Sequence, residues 1–399
     1  MVEIKTNIIR RVNTIYDSNL ILLVLLNARD KTAQNTPKRI NNKDELYENY
    51  DLGSGNDASK KKAIRELFIA EYLLDRNTNL IITTTATQGT LIAADLDSVL
   101  EVDDYSYSVV LAPYLLEDTD TVKAGHIIDK LKKLDVEIFL DMDPTKNTYE
   151  TIATAIKTKA TAEYSHKVSL FLGSGIPIDF STGYTIENYD GTKYLPTDVD
   201  APYYGILGSA IAAVKKVHFL ANNTPWLPVA GEQTGVIREL GSIYKRYKAS
   251  ERTTIQSKDL NLLSFKAGVG HLFVSQNTLA RVGVDKINPL IRSHVVTSAL
   301  WIKKRIKSIT ERIIFMPHND KTYNSWEASI RSFLTEIQGQ SGITKYFVLT
   351  GSSVMTQQNI NEGTFKGVVT YHPINVIESA KITLNILETA DTDVVVEGV

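Results

Sequence analysis

The sequence predicts an α/β protein with a second, α+β part and strand-like segments at both termini. Three observations predict this class. Strands alternate with helices between about residues 99 and 230, the stretch from 231 to 380 loses that alternation, and both terminal segments alternate apolar with polar residues outside any compact unit. Alternating strands and helices favour right-handed crossovers and a largely parallel sheet.

The composition is that of an ordinary globular protein. The 399 residues are 43% hydrophobic and 23% charged, which is typical of about two or three domains. The formal net charge of -2 provides no global attraction to nucleic acid or to an anionic membrane, and we expect neither partner. The chain has no cysteine, which excludes disulfides and thiolate metal sites.

The N-terminal part begins with two extended segments between residues 3 and 28. Residues 1–12 lack the apolar core of a signal peptide, and the apolar run from Leu20 to Leu26 is shorter than the roughly 20 residues of a membrane span. This run is typical of a buried central strand. A helix from Ser59 to Asp75 and a strand from Leu80 to Thr85 follow.

The alternating part supplies the predicted parallel sheet. Its apolar runs predict strands at 108–113, 136–142 and 167–173, separated by helices at 121–134 and 147–160. A helix rich in small residues, from Pro202 to Val217, is expected to pack on this sheet. The segment from Pro225 to Gly231 interrupts the pattern and is our predicted domain boundary.

The remainder predicts an α+β domain. In chain order we expect helix His294–Thr310, strand Arg312–Pro317, helix Ser325–Gln338, strands at 346–349 and 363–371, and a short helix Pro373–Ser379. The full predicted division is an N-terminal arm with the first strands (1–25), a part packing with the C-terminal domain (26–98), the α/β domain (99–230), the α+β domain (231–380) and a C-terminal arm (381–399).

Enzyme-like features of the sequence have structural alternatives. Asp141 and Asp143 lie at the carboxyl end of a predicted strand, where doubly wound folds bind ligands. Strand-end carboxylates are also common as helix caps, and Asp143 before Pro144 is a usual helix entry, so the cap is the favoured interpretation. The glycine pairs lack the features of a phosphate loop, the seven histidines lack metal-ligand spacing, and no Ser-His-Asp motif is present. We therefore predict no catalytic residue, no metal and no cofactor.

A basic cluster lies on the predicted helix at 294–310. The cluster spans little more than one helical turn, and the opposite face of the helix is apolar. Its members are Lys303, Lys304, Arg305 and Lys307. Such a face is either ordinary solvated helix surface or a docking surface for an acidic partner. Without interleaved aromatic residues, nucleic acid is not favoured.

Several motifs, in the same order along the chain, resemble the contractile phage tail sheath family. The elements are the proline-led strand and helix within Thr36–Tyr50, the run Tyr194–Ala212, the "Pro-Trp-x-x-Pro-Ala-Gly" element Thr224–Gly231, the "Leu-Asn-x-Ile" and Gly-x-Gly elements of Leu260–Leu279, the "Phe-x-Pro-Asn" element Ile313–Asp320 with Trp326, and Asn361–Gly363. The "Trp-Gly" and "Arg" of the central family motif are replaced by Val274-Ser275 and Asn277. The ordered series is the specific signal.

The resemblance implies a subtilisin-like α/β sheath domain without a catalytic triad, a second α+β domain lying against the tail tube, and β-strand arms at both termini. It implies a structural role, in which copies polymerise into a helical contractile sleeve that drives the tube through the host envelope. The implied partners are neighbouring sheath subunits, the tail tube protein, and the baseplate and tail terminator proteins. The implied location is the virion tail, assembled in the host cytoplasm.

Residue roles follow from the resemblance and from the two strand-like termini. The arm residues are Ile4, Thr6 and Ile8 at the N terminus and Ile382, Leu384 and Ile386 at the C terminus. The tube-facing residues are Lys303, Lys304 and Lys307 on the basic helix, with Asn375 and Glu378 on the short helix. Three alternatives stay open: the sheath of a related injection system, pyocin-like or secretion-type; a divergent subtilisin-like hydrolase; and a non-contractile binding or capsid-associated protein.

Overall fold

The computed structural model describes most of the chain. The described residues are 20–32, 35–53, 57–76, 78–101, 107–113, 115–116, 121–142, 149–178, 186–187, 193–194, 205–258, 260–281, 288–376, 382–387 and 393–398. The predicted N-terminal arm with Ile4, Thr6 and Ile8, together with Asp143 and Glu378, lies outside these residues.

The strands and helices of the described chain have the following bounds. In chain order the strands are β1 (Leu20–Leu25), β2 (Arg29–Asp30), β3 (Lys38–Ile40), β4 (Tyr50–Asp51), β5 (Asn79–Thr84), β6 (Tyr107–Leu111), β7 (Glu137–Met142), β8 (Val168–Leu172), β9 (Ser174–Pro177), β10 (Ile186–Glu187), β11 (Lys193–Tyr194), β12 (Ile206–Leu207), β13 (Val236–Ile237), β14 (Leu240–Ile243), β15 (Asn261–Lys266), β16 (Gly270–Phe273), β17 (Ile343–Leu349), β18 (Val368–Pro373), β19 (Ile382–Leu387) and β20 (Asp393–Gly398). The α-helices are α1 (Lys43–Asn49), α2 (Asp57–Asp75), α3 (Asp97–Glu101), α4 (Thr121–Leu131), α5 (Tyr149–Tyr164), α6 (Gly208–Ala221), α7 (Ala249–Ser257), α8 (Ser293–Glu311), α9 (Asp320–Gly339) and α10 (Gln357–Asn361).

A nine-stranded mixed sheet organises the larger part of the fold. Its order is β13-β16-β15-β8-β7-β6-β1-β5-β3. The run from β15 to β5 is parallel throughout, and antiparallel strands are added at both edges. The predicted α/β class and the largely parallel sheet are therefore confirmed.

The central position of β1 explains its unbroken apolar sequence. Side chains alternate between the two faces of a strand, and here both faces are covered. Ile21, Leu23 and Leu25 join a core with α2 and α6, whereas Leu20 and Leu22 join a second core with α4 and α5. All of these side chains are almost fully buried, so the predicted central strand is confirmed.

A third core organises the C-terminal part. It consists of one face each of α8 and α9, the strand β17, and the end of α6. The tryptophans of the family-like motifs pack here: Trp226 lies edge-on to Trp301 with a centroid distance of 6.3 Å, and Trp326 lies edge-on to Phe365 at 5.0 Å. Because Leu220 of α6 also belongs to this core, α6 contacts both parts of the molecule.

The predicted boundaries at 98/99 and 230/231 do not divide this sheet. Strands β1, β3 and β5 precede the first boundary, and β13, β15 and β16 follow the second, yet all six belong to the nine-stranded sheet. The strand β15 completes the parallel run by pairing with β8. Long-range strand pairing of this kind leaves no local signal in the sequence.

The "Leu-Asn-x-Ile" element has a structural role in this extension of the sheet. The Asn261 side chain donates from Nδ2 to the Asn277 carbonyl (2.8 Å) and accepts at Oδ1 from the Asn277 N–H (2.5 Å). Both atoms of the buried amide are thereby satisfied. The two bonds fix the segment that leads from β16 towards α8.

Two local predictions are wrong. The segment from Arg312 to Pro317 is a turn after α8, not a strand. Phe315 has a φ of 67° and is 93% exposed, because the chain must reverse before Asn319 caps α9 by accepting from the Thr322 N–H (3.0 Å). Pro373 ends β18 by pairing with Ile343 and does not begin the predicted helix, whose residues 377–379 lie outside the described chain.

Candidate assembly interface

The hairpin β17–β18 presents unpaired strand edges. Its strands pair antiparallel, with Leu349 opposite Val368 and Phe347 opposite Thr370. Among the described strands neither has a further partner. An unpaired edge displays a row of N–H and C=O groups that can accept a strand from another chain.

The two faces of this hairpin differ. Val348 is buried against the third core, and β17 packs on α9. The opposite face exposes Phe347, Leu349 and Val368, which are 47%, 49% and 41% exposed. Adjacent exposed apolar side chains on one sheet face are typical of a protein contact surface.

The C-terminal arm also forms a two-stranded sheet. Strand β19 pairs antiparallel with β20, and Ile382, Leu384 and Ile386 occupy alternate positions of β19, opposite Gly398, Val396 and Val394. The sequence places these residues outside any compact unit, and in the structure β19 and β20 pair with each other. The sheet β19–β20 joins no other described strand. Neither of its outer edges is paired by another described strand.

The lysines of the basic helix do not all lie where either interpretation of the sequence places them. The Lys304 ammonium is buried and donates to the Tyr107 carbonyl at the start of β6 (2.5 Å). Burial lowers its pKa to about 8. Lys303 forms an ion pair with Asp135 at 2.7 Å, and Lys307 is half-buried. Lys303 and Lys304 thus connect α8 to the large sheet, so Lys304 is neither solvated nor accessible to an acidic partner.

The short C-terminal segment provides one accessible predicted residue. Asn375 is exposed just after β18, and Glu378 lies outside the described residues. The contact of Asn375 with the tube stays a prediction, and so does that of Lys307.

A buried polar cluster joins the two parts of the chain. The Glu137 carboxylate of β7 accepts hydrogen bonds from Ser293 (3.0 Å) and Thr297 (2.7 Å) of α8. The fully buried Lys216 ammonium of α6 lies 3.6 Å from the Glu137 carboxylate and donates to Thr297. The sequence does not predict this cluster. Its local signals are Glu137, one of two acidic residues in the otherwise apolar strand VEIFLDM, and Lys216, one of two lysines in a helix of small residues.

The strand-end carboxylate Asp141 is a helix cap. It accepts from the Ser209 N–H at 3.0 Å and from the Ser209 hydroxyl, at the first turn of α6. Burial raises the pKa of Asp141 to about 7, against the opposing effect of the two hydrogen bonds. Of the two interpretations of Asp141, the structure favours the cap.

A second buried carboxylate, also missed from the sequence, stabilises the end of β1. Glu66 of α2 accepts from the backbone N–H groups of Leu26 (3.1 Å), Asn27 (2.8 Å) and Ala28 (2.9 Å). These groups have no strand partner where the chain leaves the sheet, and the carboxylate satisfies them. Burial raises the pKa of Glu66 to about 7.

Metal-ligating side chains are dispersed in the part of the chain that the structure describes. There, no three His, Asp or Glu side chains are grouped as a metal ion would require. None of the helices described is long and apolar enough to span a membrane. The chemistry available on these surfaces is backbone pairing, apolar contact and charge.

The fold is similar to that of sheath subunits from contractile injection systems and of a sheath tail protein. A chain of the anti-feeding prophage baseplate matches with a TM-score of 0.65 at 13% identity, over 98% of both chains. The contracted sheath of the extracellular contractile injection system PVC matches with a TM-score of 0.61 at 14% identity, again over 98% of both. The sheath tail protein Lin1278 from Listeria innocua matches with a TM-score of 0.53 at 9% identity, over 95% of this chain and 94% of that one.

The resemblance predicted from the motifs is therefore confirmed at the level of the fold. At these identities the likeness is one of architecture along the whole chain. No protein-family profile matches the sequence, and no curated protein matches it.

Proposed function

We propose that this protein is the structural subunit of a contractile sheath. Copies polymerise into a helical sleeve around a tail tube, and the sleeve contracts to drive the tube through a target envelope. The observation that carries the proposal is the likeness over 98% of this chain to structures of two contractile injection systems. On this proposal the large-sheet part is the subtilisin-like domain and the part around the third core is the tube-proximal domain.

The open-edged hairpins support the mode of assembly. Strands from the arms of one copy add to the free edges of β17–β18 in another, and each added strand forms a row of main-chain hydrogen bonds. Such heterologous contacts propagate into a helix instead of closing as a pair. The sleeve then has two packings, and their free-energy difference, summed over many copies, does the mechanical work.

The partners and location follow from this role. They are neighbouring sheath subunits, a tube protein, and baseplate and terminator proteins, in the tail of a phage virion assembled in the host cytoplasm or in a related injection system. The similar structures include injection systems as well as a sheath tail protein, and therefore support a related injection system as well as a phage tail. A divergent hydrolase is not favoured, since these neighbours are sheath proteins and Asp141 serves as a helix cap.

The test is polymerisation of the purified full-length chain. We expect tubes in negative-stain electron micrographs, and no tubes after deletion of residues 381–399. The deletion removes β19 and β20, which pair only with each other among the described strands. The thermal unfolding transition of the truncated chain should therefore match that of the full chain. In a second variant, which keeps the full length, residues 382–387 are replaced by Gly and Ser. This variant should also fail to form tubes.

Two results would count against the proposal. A full-length chain that stays monomeric at high concentration contradicts the sheath function. Tubes that survive both the deletion and the Gly/Ser replacement contradict assembly through the C-terminal arm.

A further inference from the structure

A groove of about 340 Å³ runs between α8 and α9, lined also by Asn223, two residues after the end of α6. We call it the α8–α9 groove. Its floor is aromatic: Trp301 and Phe333 lie with ring centroids 5.5 Å apart, and Ile309 lines the wall. Of the basic cluster predicted from the sequence, Arg305 lines this groove, which is separate from the assembly surfaces described above.

Two arginines give the groove its charge. Arg305 and Arg312 both line it and both are exposed. Arg305 stacks over the Trp301 ring at 5.7 Å from the centroid, and neither arginine has an acidic partner among the residues whose side chains the structure describes. Glu336 is the one acidic residue in the lining. By contrast, Arg331 on α9 is paired with Glu327 at 2.7 Å.

This combination is specific for a carboxylate next to apolar groups. A guanidinium is planar and always charged, binds carboxylates in a bidentate manner, and stacks on aromatic rings. The aromatic floor favours an apolar neighbour. The occupant is therefore an acidic segment with apolar side chains.

The chain itself contains such a segment. Residues 388–399, ETADTDVVVEGV, include four acidic residues, no basic residue and three consecutive valines. Asp393 and Glu397 are four residues apart in β20, about 13 Å along a strand. Arg305 and Arg312 are seven residues apart on α8, about 10 Å along a helix. The two spacings match within the reach of these long side chains.

The structure also indicates where the segment comes from. Gln340 lines the groove and lies three residues before β17 begins at Ile343, so a strand added from another copy along β17 comes close to the groove at this residue. In its own chain, β20 pairs only with β19 among the described strands.

We propose that the α8–α9 groove binds the acidic segment 388–399 of a second copy, with Arg305 and Arg312 pairing with its carboxylates. The proposal rests on the proposed function only for the presence of neighbouring copies. It adds a side-chain lock to the backbone pairing of the arms, and side chains determine which copy and which register are chosen.

Cysteine cross-linking tests the contact directly, because the natural chain has no cysteine. One full-length chain carries Ser308→Cys in the groove, and a second, distinguished by a mass tag, carries Val395→Cys. Oxidation of the mixture should give a mixed dimer, with yield about tenfold above that of the control Ser329→Cys, since a disulfide requires closely spaced Cα atoms. Ser329 is exposed on α9 and does not line the groove.

Two outcomes of the cross-linking overturn the proposal. Equal yields from Ser308→Cys and Ser329→Cys mean that the segment is not in the groove. If a chain carrying both Ser308→Cys and Val395→Cys cross-links only within itself, the occupant is its own segment and not that of a second copy.

A charge swap tests whether the arginines recognise the segment. Arg305→Glu with Arg312→Glu should raise the concentration needed for polymerisation, measured by sedimentation, about tenfold, and so should Asp393→Lys with Glu397→Lys. The four changes together should restore it to within about threefold. Lys321→Glu, an exposed position on α9, is the control and should change nothing.

The swap has its own refuting results. Normal polymerisation of the chain with Arg305→Glu and Arg312→Glu excludes direct pairing. So does a chain with all four changes that polymerises as poorly as the more defective of the two double variants. Failure of the natural chain to polymerise would refute the proposed function, and the cross-linking of mixed chains would still decide the groove contact.

Discussion

Replacement of Lys216 by methionine should be among the most destabilising single changes in this protein. The Lys216 side chain is fully buried, and the side chain of its partner Glu137 is 3% exposed. Methionine keeps most of the length and the apolar stem of lysine, so the change removes the charge and leaves the packing almost intact. The Glu137 carboxylate then stays buried with two hydroxyl donors and without its nearest cation, since Lys304 acts on it only from farther away.

The expected cost follows from the geometry. At 3.6 Å the attraction is about 4 to 5 kcal/mol at an effective dielectric constant of about 20. Removing one partner of a buried pair typically costs about 3 to 5 kcal/mol, because the other charge remains uncompensated. The free energy of unfolding of a domain is only about 5 to 15 kcal/mol, so Lys216→Met should remove a large fraction of it.

Neutralising both partners should cost less than the sum of the two single changes. In the double variant Glu137→Gln with Lys216→Met neither partner of the pair is charged, and the glutamine amide can accept from one of the Ser293 and Thr297 hydroxyls and donate to the other. We expect a total cost of about 1 to 3 kcal/mol, and hence a coupling of roughly 2 kcal/mol between the two positions.

Urea unfolding followed by tryptophan fluorescence measures these values, since Trp301 lies on α8 next to the cluster. The measurements are made below the concentration for polymerisation, and Lys321→Met, at an exposed position, is the control with an expected change within about 0.5 kcal/mol. A cost below about 1 kcal/mol for Lys216→Met, or additive single and double variants, would refute the reasoning. Glu137 would then not hold a charge that depends on Lys216.

Two further predictions concern pH and packing. Burial raises the pKa of Asp141 to about 7, so its stabilising contribution is complete below about pH 4 and is lost as pH rises through about 7. Between these values it makes the free energy of unfolding fall by about 1.4 kcal/mol per pH unit. Asp141→Asn should remove that slope in urea unfolding at several pH values, while the contribution of Glu66 remains; an unchanged slope contradicts the assignment. Gly342→Ala should destabilise the third core by about 1 to 3 kcal/mol, because a Cβ there would lie 2.5 Å from the Trp226 ring. Gly339→Ala, whose Cβ meets nothing within 4 Å, is the matched control and should have the same thermal unfolding temperature as the natural chain or a slightly higher one.

The elements that the sequence predicts well are those whose signal is local. The continuous apolar run of β1 can be buried only by cover on both faces, and this places it inside the sheet before any coordinates are known. The helices α2 and α9 have clear apolar periodicity, and each lies within a few residues of its predicted span. The ordered motifs carry the resemblance because several of their side chains, such as Trp226 and Asn261, pack or bond at fixed positions of the fold.

What the sequence does not reveal depends on contacts between distant segments. A helical pattern shows that Lys303 and Lys304 lie on one side of α8, but not that this side faces Tyr107 and Asp135. The strand predicted at 312–317 fails for a related reason: its apolar residues favour β structure locally, and the reversal between α8 and α9 overrides that preference. The groove beside Arg305 likewise exists only where two helices meet.

The distribution of these contacts bears on how such a subunit would transmit force. The helix α6 contributes to the core beneath the large sheet and, through Leu220, to the third core, and the Glu137 cluster adds α8 to the same joint. Separating the two parts would expose both a buried charge pair and apolar surface, each of which costs free energy. Among the strands that the structure describes, the hairpin β19–β20 shares no sheet with either part. In the proposed sheath, rearrangement therefore concentrates in the arm contacts and the α8–α9 groove, while the body of each subunit moves as one piece.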